Sequence, residues 1–329
     1  LHRLVTALLI LCAITAAADY DGPALSGFFD AGVAATLADE TTTDGLLGAL
    51  EVDLTGVFTD WAEYAAGVVL EKEDGRVEVE PAATLLDLHL PEGDDFLTTA
   101  GVYFGNFDVP FGWDFLRYAT PDRPTVSAPL TTSTGFEDGM TELGFAGYAR
   151  TGFFDFDAYM LYLPLEEPEI EGEPAAPDRW AYGARLDVVP ALDWLHFGAS
   201  AVLSNEGAQD EKLESARYGG HLHLEQWGLE LTGEYVLGAD GVDEAVDSSG
   251  YYAEAVFRFD EIFAPVYAFA RYGSWDPDTA TGNDEFSRIA GGLGFAPLEW
   301  LAFKLEYTAE DEPGDVKNDT VTLDAVVAF

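Results

Sequence analysis

Toward its end the chain reads Thr320-Val321-Thr322-Leu323-Asp324-Ala325-Val326-Val327-Ala328-Phe329, with Val321, Leu323, Ala325, Val327 and Phe329 on one parity and Thr320, Thr322 and Asp324 on the other. A period of two is that of a strand with one apolar and one wetter face. The alternation recurs upstream. Leu301, Phe303, Leu305 and Tyr307 interleave with Ala302, Lys304 and Glu306, and Leu229, Leu231, Gly233, Tyr235 and Leu237 interleave with Glu230, Thr232 and Glu234. Leu143, Phe145 and Ala149 do the same with Glu142, Tyr148 and Arg150. The pattern predicts strands over 25–37, 47–57, 62–71, 82–90, 96–107, 138–150, 153–163 and 180–189, and again over 193–204, 215–227, 228–238, 249–259, 263–275, 285–296, 300–309 and 318–329.

The connections alternate too. Thr59-Asp60, Pro91-Glu92-Gly93, Thr151-Gly152, Pro190-Ala191, Gln226-Trp227-Gly228, Asp260-Glu261 and Pro297-Leu298 are short, and between them lie long acidic or Pro/Gly-rich stretches such as "EKEDGRVEVE" and "EEPEIEGEPAAPD". About sixteen strands with alternating short and long connections predict an all-β fold, a transmembrane antiparallel β-barrel. Its last strand would close on "ALSGFFDAGVAAT" and leave no open edge. A soluble β-sandwich would bury the apolar parity against a second sheet. Two features favour lipid instead: Trp61, Trp194, Trp227, Trp300 and Tyr272 gather at strand ends, as in interfacial girdles, and the other parity carries too many charges to line a dry core.

That charged parity is predicted to face the interior. Its bases are Arg150, Arg185, Arg217, Arg258, Arg271, Arg288 and Lys304, of which the last four lie on consecutive strands as an expected positive wall. Its acids include Asp30, Glu51, Asp53, Glu63, Asp87, Glu142, Asp155, Asp157, Asp187, Glu225, Glu230, Glu234, Glu254, Glu306 and Asp324. They can form cross-strand ion pairs that stiffen the wall, or a charged constriction that selects ions by its field.

Composition sharpens this picture. The 329 residues hold 15 Lys+Arg against 61 Asp+Glu, a net charge of -46, with 13% aromatics. Such acidity argues against nucleic-acid partners, and the aromatic content argues against disorder. At the start, Arg3 and an apolar run from Leu4 to Ile14 precede Ala16-Ala17-Ala18. This pattern predicts a secretory signal peptide over 1–18, with the barrel over 19–329. The single cysteine, Cys12, falls inside that signal, so no disulfide is expected in the barrel. The acidic surplus predicts a leaning toward cations.

The outsized connection, about 108–137, is too apolar to stand in water, since Trp113, Phe115, Leu116, Tyr118 and Val126 need burial. It is expected to fold into the lumen as a constriction, with Asp108, Asp114, Arg117, Asp122 and Arg123 facing the basic wall; a flap over the mouth is the alternative. Within it, "GVYFGNFDVPFGWD", from Gly101 to Asp114, resembles the strand-and-loop motif of the phosphate-selective porin O and P family, with Val109-Pro110-Phe111-Gly112 as the turn into the long loop. The resemblance implies a trimeric diffusion channel with an inward-folded third loop. Lysine is nearly absent from the strands, so phosphate preference does not carry over. The C-terminal Phe329 on an alternating strand resembles the sorting signal of bacterial outer-membrane proteins, which implies the barrel assembly machinery as a partner. These features together predict an outer-membrane porin passing small hydrophilic solutes, with no cofactor.

Other chemistry is weaker. His221 and His223 share a face with Glu225, but a third clear metal ligand is missing. Ser200 near His196 has suitable parity for a hydrolase, but nothing marks it as a nucleophile. Asp276, Asp278, Gly282 and Asp284 fail the spacing of a calcium loop. A barrel enzyme acting on lipid or peptide, and an adhesive or structural barrel meeting lipopolysaccharide through its acidic loops, are the alternative functions.

Overall fold

The computed structural model describes residues 23–37, 42–73, 76–91, 97–114, 122–134, 141–163, 179–189, 192, 194–205, 213–240, 246–259, 264–282, 284–313, 316–317 and 319–329. The expected signal peptide, and most of the stretches expected as long loops, lie outside the described residues.

Short alternating segments become strands: β1 (Ala24–Thr36), β2 (Thr42–Thr59), β3 (Ala62–Glu73), β4 (Arg76–His89), β5 (Leu97–Asp108), β6 (Thr141–Thr151), β7 (Phe154–Leu163), β8 (Arg179–Val188) and β9 (Leu195–Asn205). They continue as β10 (Leu213–Gln226), β11 (Leu229–Asp240), β12 (Val246–Arg258), β13 (Val266–Asp276), β14 (Phe286–Leu298), β15 (Leu301–Glu312), β16 (Val316–Lys317) and β17 (Thr320–Ala328). A single turn of helix, α1 (Leu130–Ser133), interrupts the connection from β5 to β6. Each strand pairs antiparallel with its sequence neighbour, β16 being only a two-residue ladder beside β15. Sixteen long strands therefore make the wall.

The ring closes between β1 and β17, in register from Phe28↔Ala328 to Thr36↔Thr320. Gly27 and Phe329 exchange both backbone hydrogen bonds at 2.9 Å, so pairing runs to the last residue. Closure removes the exposed edges that every open sheet leaves. Short turns sit on one rim. At Trp227-Gly228 both residues have positive φ, 56° and 74°, the backbone of a two-residue hairpin turn that matches strand twist.

The first half of the chain departs from the expected strands at two hairpin ends: β2 begins at Thr42 rather than 47, and the β3–β4 hairpin is longer than expected. "EKEDGRVEVE", read from sequence as a loop, is largely hairpin: β3 runs to Glu73, β4 starts at Arg76, and Glu73 pairs with Arg76. Val77 and Val79 alternate with Glu78 and Glu80, so the period of two was present beneath the charge. The register slips between Ala66/Thr84 and Val68/Pro81. Pro81 lacks a ladder donor, and such a bulge is where a strand tolerates it.

Burial separates the two faces. Leu143, Phe145, Leu222, Leu293, Leu305 and Leu323 are exposed on the outside, while Asp157, Arg185, Glu234, Arg271, Glu306 and Asp324 are buried on the inside. This is the reverse of a water-soluble fold, because burying charge without a partner costs several kcal/mol and exposing a wall of leucine to water forfeits the hydrophobic gain. Trp61, Trp227 and Trp300 are exposed in the short turns, and Tyr218, Tyr235, Tyr251, Tyr272 and Tyr307 are exposed toward the other ends of their strands. From Trp227 to Leu237 is roughly 34 Å along a strand, or about 26 Å in height at a tilt of about 40°. That matches the roughly 25 Å apolar band of an outer-membrane barrel.

Candidate functional site

Sequence chemistry brings the long connection back against the inner face. After β5, Pro110 and Gly112 turn the chain: Phe111 donates its N–H to Val109 O at 2.7 Å, and Gly112 adopts φ 66°. A side chain at Gly112 would be strained by that φ and would meet Glu234 Oε2 at 2.8 Å, so only glycine fits. The next amides are taken by the wall, Gly112 N–H by Ser200 Oγ at 3.0 Å and Trp113 N–H by Glu234 Oε2 at 2.6 Å. Trp113 then covers a floor of imidazoles. Its ring stacks on His223 (4.5 Å between centroids, 19° between planes) and lies 5.3 Å from His221 and 6.1 Å from His196. Phe107, Val109, Phe111 and Leu130 join Tyr159, Leu161, Val236 and Trp275 in one buried apolar cluster. This burial is what a segment this apolar requires.

Residues 122–134 dock one quarter-turn further round. Val126 and Ser127 donate their N–H groups to the two oxygens of Glu306 at 2.9 and 3.0 Å. Arg271 donates to Thr125 Oγ1 (3.0 Å), Ser127 O (2.8 Å), Ser127 Oγ (2.7 Å) and Ala128 O (3.2 Å). It also pairs with Glu254 at 3.3 Å. Arg288 adds Ala128 O at 3.1 Å and holds Glu310 at 2.5 Å. Helix α1 follows at once, with Leu130, Thr131 and Thr132 buried against β11, β12 and β13.

The expected site residues fall into three groups. Arg271 and Lys304 are 4% and 1% exposed, and the segment bonds directly to Arg271 and Arg288 on this stretch of wall. The segment expected to face the basic wall thus rests on two of its residues, Arg271 and Arg288. The physical reason is satisfaction of donors: a guanidinium with five N–H groups finds its acceptors in the segment's own backbone. Asp114 is likewise turned inward on its own segment, bridged by Arg123 at 2.8 and 3.3 Å.

A second group sits in wall ion pairs. Arg150 binds Asp157 at 2.7 Å and lies over Tyr148, Arg185 binds Asp187 at 2.8 Å, and Arg258 binds Glu230 beneath the Tyr267 ring. Arg217 is half-buried on the same face and reaches Ala216 O at 3.2 Å. The third group stands apart from the docked segment. Asp108 is exposed at the end of β5, where the long connection begins, and accepts Thr141 Oγ1 at 2.8 Å. Asp122 is exposed, and Arg117 lies outside the described residues.

The groups weighed for other chemistry are engaged in this docking. Ser200 accepts Gly112, His223 shares a hydrogen bond of 2.9 Å with Thr232, and His221 Nε2 is 2.7 Å from Asp187. Among the described residues no cluster of three or more His, Cys, Asp or Glu side chains could hold a metal ion. In the β13–β14 loop, Thr281 Oγ1 and Ala280 N–H bind Asp278 at 2.6 and 3.0 Å, which holds its carboxyl below the ordinary aspartate range.

The opposite wall differs. Asp30, Glu51, Asp53 and Asp87 on β1, β2 and β4 are half-buried on the inner face, and Glu63 and Glu80 are exposed there. No lysine or arginine occurs among the described side chains of β1 to β5. The acids of this wall were legible from parity. What sequence reading missed is Thr125, Ser127 and Ser200 as docking residues, and the role of Glu234, Glu254 and Glu306 in holding a segment rather than lining water. The Ser/Thr-rich run between Pro124 and Pro129 was the available signal, since such residues bind locally where regular structure is absent.

No protein-family model and no curated protein matches the sequence. Solved structures do match in fold. An anion-selective porin from Comamonas acidovorans is 13% identical with a TM-score of 0.65, over 94% of this chain and 99% of that one. In-vitro folded OmpT of Vibrio cholerae, in a trimer form, is 10% identical with a TM-score of 0.65, over 94% of this chain and all of that one. OmpF of Salmonella typhi in complex with daunomycin is 11% identical with a TM-score of 0.62, over 94% and 98%. The chain has the sixteen-stranded barrel fold of these outer-membrane proteins.

Proposed function

We propose that this chain is a bacterial outer-membrane porin: a water-filled channel through which small hydrophilic solutes and ions diffuse passively, with cations preferred over anions. The observation that carries the reading is the pair of faces, apolar and girdled outside, charged inside, on a wall with no free edge. A dry barrel would not line one wall with Asp53, Glu63, Glu80 and Asp87, half-buried or exposed on strands that offer no lysine or arginine among their described side chains; water reaches them. The passage runs along this acid wall, and the docked segment narrows it from the other side. Cation preference follows from the sign of the field at the open wall.

The rest of the cell biology belongs to the same reading. Residues 1–18 direct export, Phe329 is read by the barrel assembly machinery, acidic loops meet lipopolysaccharide, and three copies assemble, as the trimer form of OmpT does. The Val109-Pro110-Phe111-Gly112 turn supports kinship with the phosphate-selective porin O and P family at superfamily level, without its phosphate preference.

Purified protein refolded into liposomes tests this directly. Swelling rates with neutral sugars of increasing size should fall off sharply at a cut-off, and deletion of 122–134 should move that cut-off upward. Liposomes that stay impermeable to the smallest sugar would reject the channel.

A further inference from the structure

We propose that Arg271 is the positioning residue of the constriction, holding the docked segment through the fixed geometry of its guanidinium rather than through its charge, with Glu306 as its second clamp. The inference rests on the channel reading above and says which wall residues set its width.

The backbone around 126–128 makes no strand or helix of its own, so its polar groups need partners elsewhere. Two side chains of the wall provide most of them, and Arg288 adds one bond to Ala128 O at 3.1 Å. Glu306 on β15 takes the N–H groups of Val126 and Ser127, one on each carboxylate oxygen. Arg271 on β13 takes the carbonyls of Ser127 and Ala128 and the hydroxyls of Thr125 and Ser127. Donors go to one clamp and acceptors to the other, so segment and wall fit in a single register. Thr125 Oγ1 also donates to Ser127 O at 2.8 Å, which folds the acceptors around one guanidinium plane.

The charge of Arg271 has a separate use. Glu254 lies 3.3 Å away on the neighbouring strand, paired in register, and both side chains are buried. The pair presents a dipole, not a free charge, to the lumen. Lysine at this position would keep the charge and the reach to Glu254. It would not keep the docking, because three N–H groups diverging from one nitrogen cannot span acceptors from Thr125 to Ala128.

That difference gives the test. Arg271→Lys, Arg271→Gln and Glu306→Gln are made in a chain carrying Val126→Cys as a reporter, with Cys12→Ser to remove the other thiol. Two readouts follow on the refolded barrel: maleimide labelling of the reporter in detergent, and single-channel conductance in planar bilayers. Arg271→Lys should raise labelling about tenfold and conductance about twofold, nearly as much as Arg271→Gln, because the fork and not the charge is lost. Glu306→Gln keeps one acceptor oxygen and should show a smaller rise in both. Arg271→Lys that labels and conducts like the parent, beside an altered Arg271→Gln, would overturn the proposal in favour of charge. If Arg271→Lys does not fold to a heat-resistant barrel, Glu306→Gln decides alone, and parental labelling there would overturn the two-clamp arrangement. A parent barrel that carries no current would defeat the channel reading, while labelling would still decide the clamp.

Discussion

The strands of β1 to β5 and those of β8 to β15 repeat one hydrophobic alternation, yet their inner faces have opposite characters. On β8 to β15 the arginines of the inner face are buried or half-buried in ion pairs, Arg185 with Asp187, Arg258 with Glu230, Arg271 with Glu254 and Arg288 with Glu310, while Glu225 stays exposed at the short-turn end. On β1 to β5 the acids Asp53, Glu63, Glu80 and Asp87 are half-buried or exposed, on strands with no lysine or arginine among their own described side chains, and Asp30 faces Lys304 of β15. The outer faces do not differ in this way. What separates the two walls is the segment that follows β5, which lies on one and leaves the other to water. A barrel strand can hold charge for two purposes, then. Where a second layer covers it the charge must be matched, and where water covers it the charge can remain in surplus.

The largest expected effect comes from uncovering the matched wall. Trp113→Ala removes the ring stacked on His223 and should destabilise the docked segment by about 3–5 kcal/mol, the usual cost of truncating a buried tryptophan. Hydrogen exchange should show lost protection at the amides of Gly112, Trp113 and Val126 while the strand ladders stay protected; unchanged protection would mean that the imidazole floor does not anchor the segment. Gly112→Ala comes next, at about 2 kcal/mol from a left-handed φ and a Cβ pressed on Glu234. Limited proteolysis within 109–134 reads this one, with faster cleavage expected.

Changes to the open wall are smaller in energy and larger in what they say about transport. Neutralising Glu51, Asp53, Glu63 and Asp87 together should lower the cation-to-anion permeability ratio by about tenfold, some 1.4 kcal/mol, with the barrel intact. Removing a paired charge should matter least. Arg258→Gln, at a pair already neutralised by Glu230, should change the ratio by less than about twofold. If the two variants moved selectivity equally, the division into a matched and an open wall would fail.

Much of this was legible before any coordinates. The period of two placed nearly every strand and its lipid-facing parity, because one solvent change per residue is a strong constraint on a wall one layer thick. The outer end of the β3–β4 hairpin was read as a loop because Glu71, Lys72, Glu73 and Glu78 are charged, although valines alternate beneath. Inward orientation of Arg271 and Glu306 followed from parity, but their partners did not. A docked segment makes its bonds from backbone groups, and every residue carries those, so sequence gives no sign of which wall it will choose. Gly112 was a further clue, a glycine two residues after a proline where an apolar run had to turn.

The most direct measurement of the central claim is the reversal potential of the refolded protein in a planar bilayer under a tenfold gradient of potassium chloride. The two-walled barrel predicts steady open channels whose reversal potential takes the sign of potassium preference. Chloride preference, or a bilayer that never conducts, would contradict it.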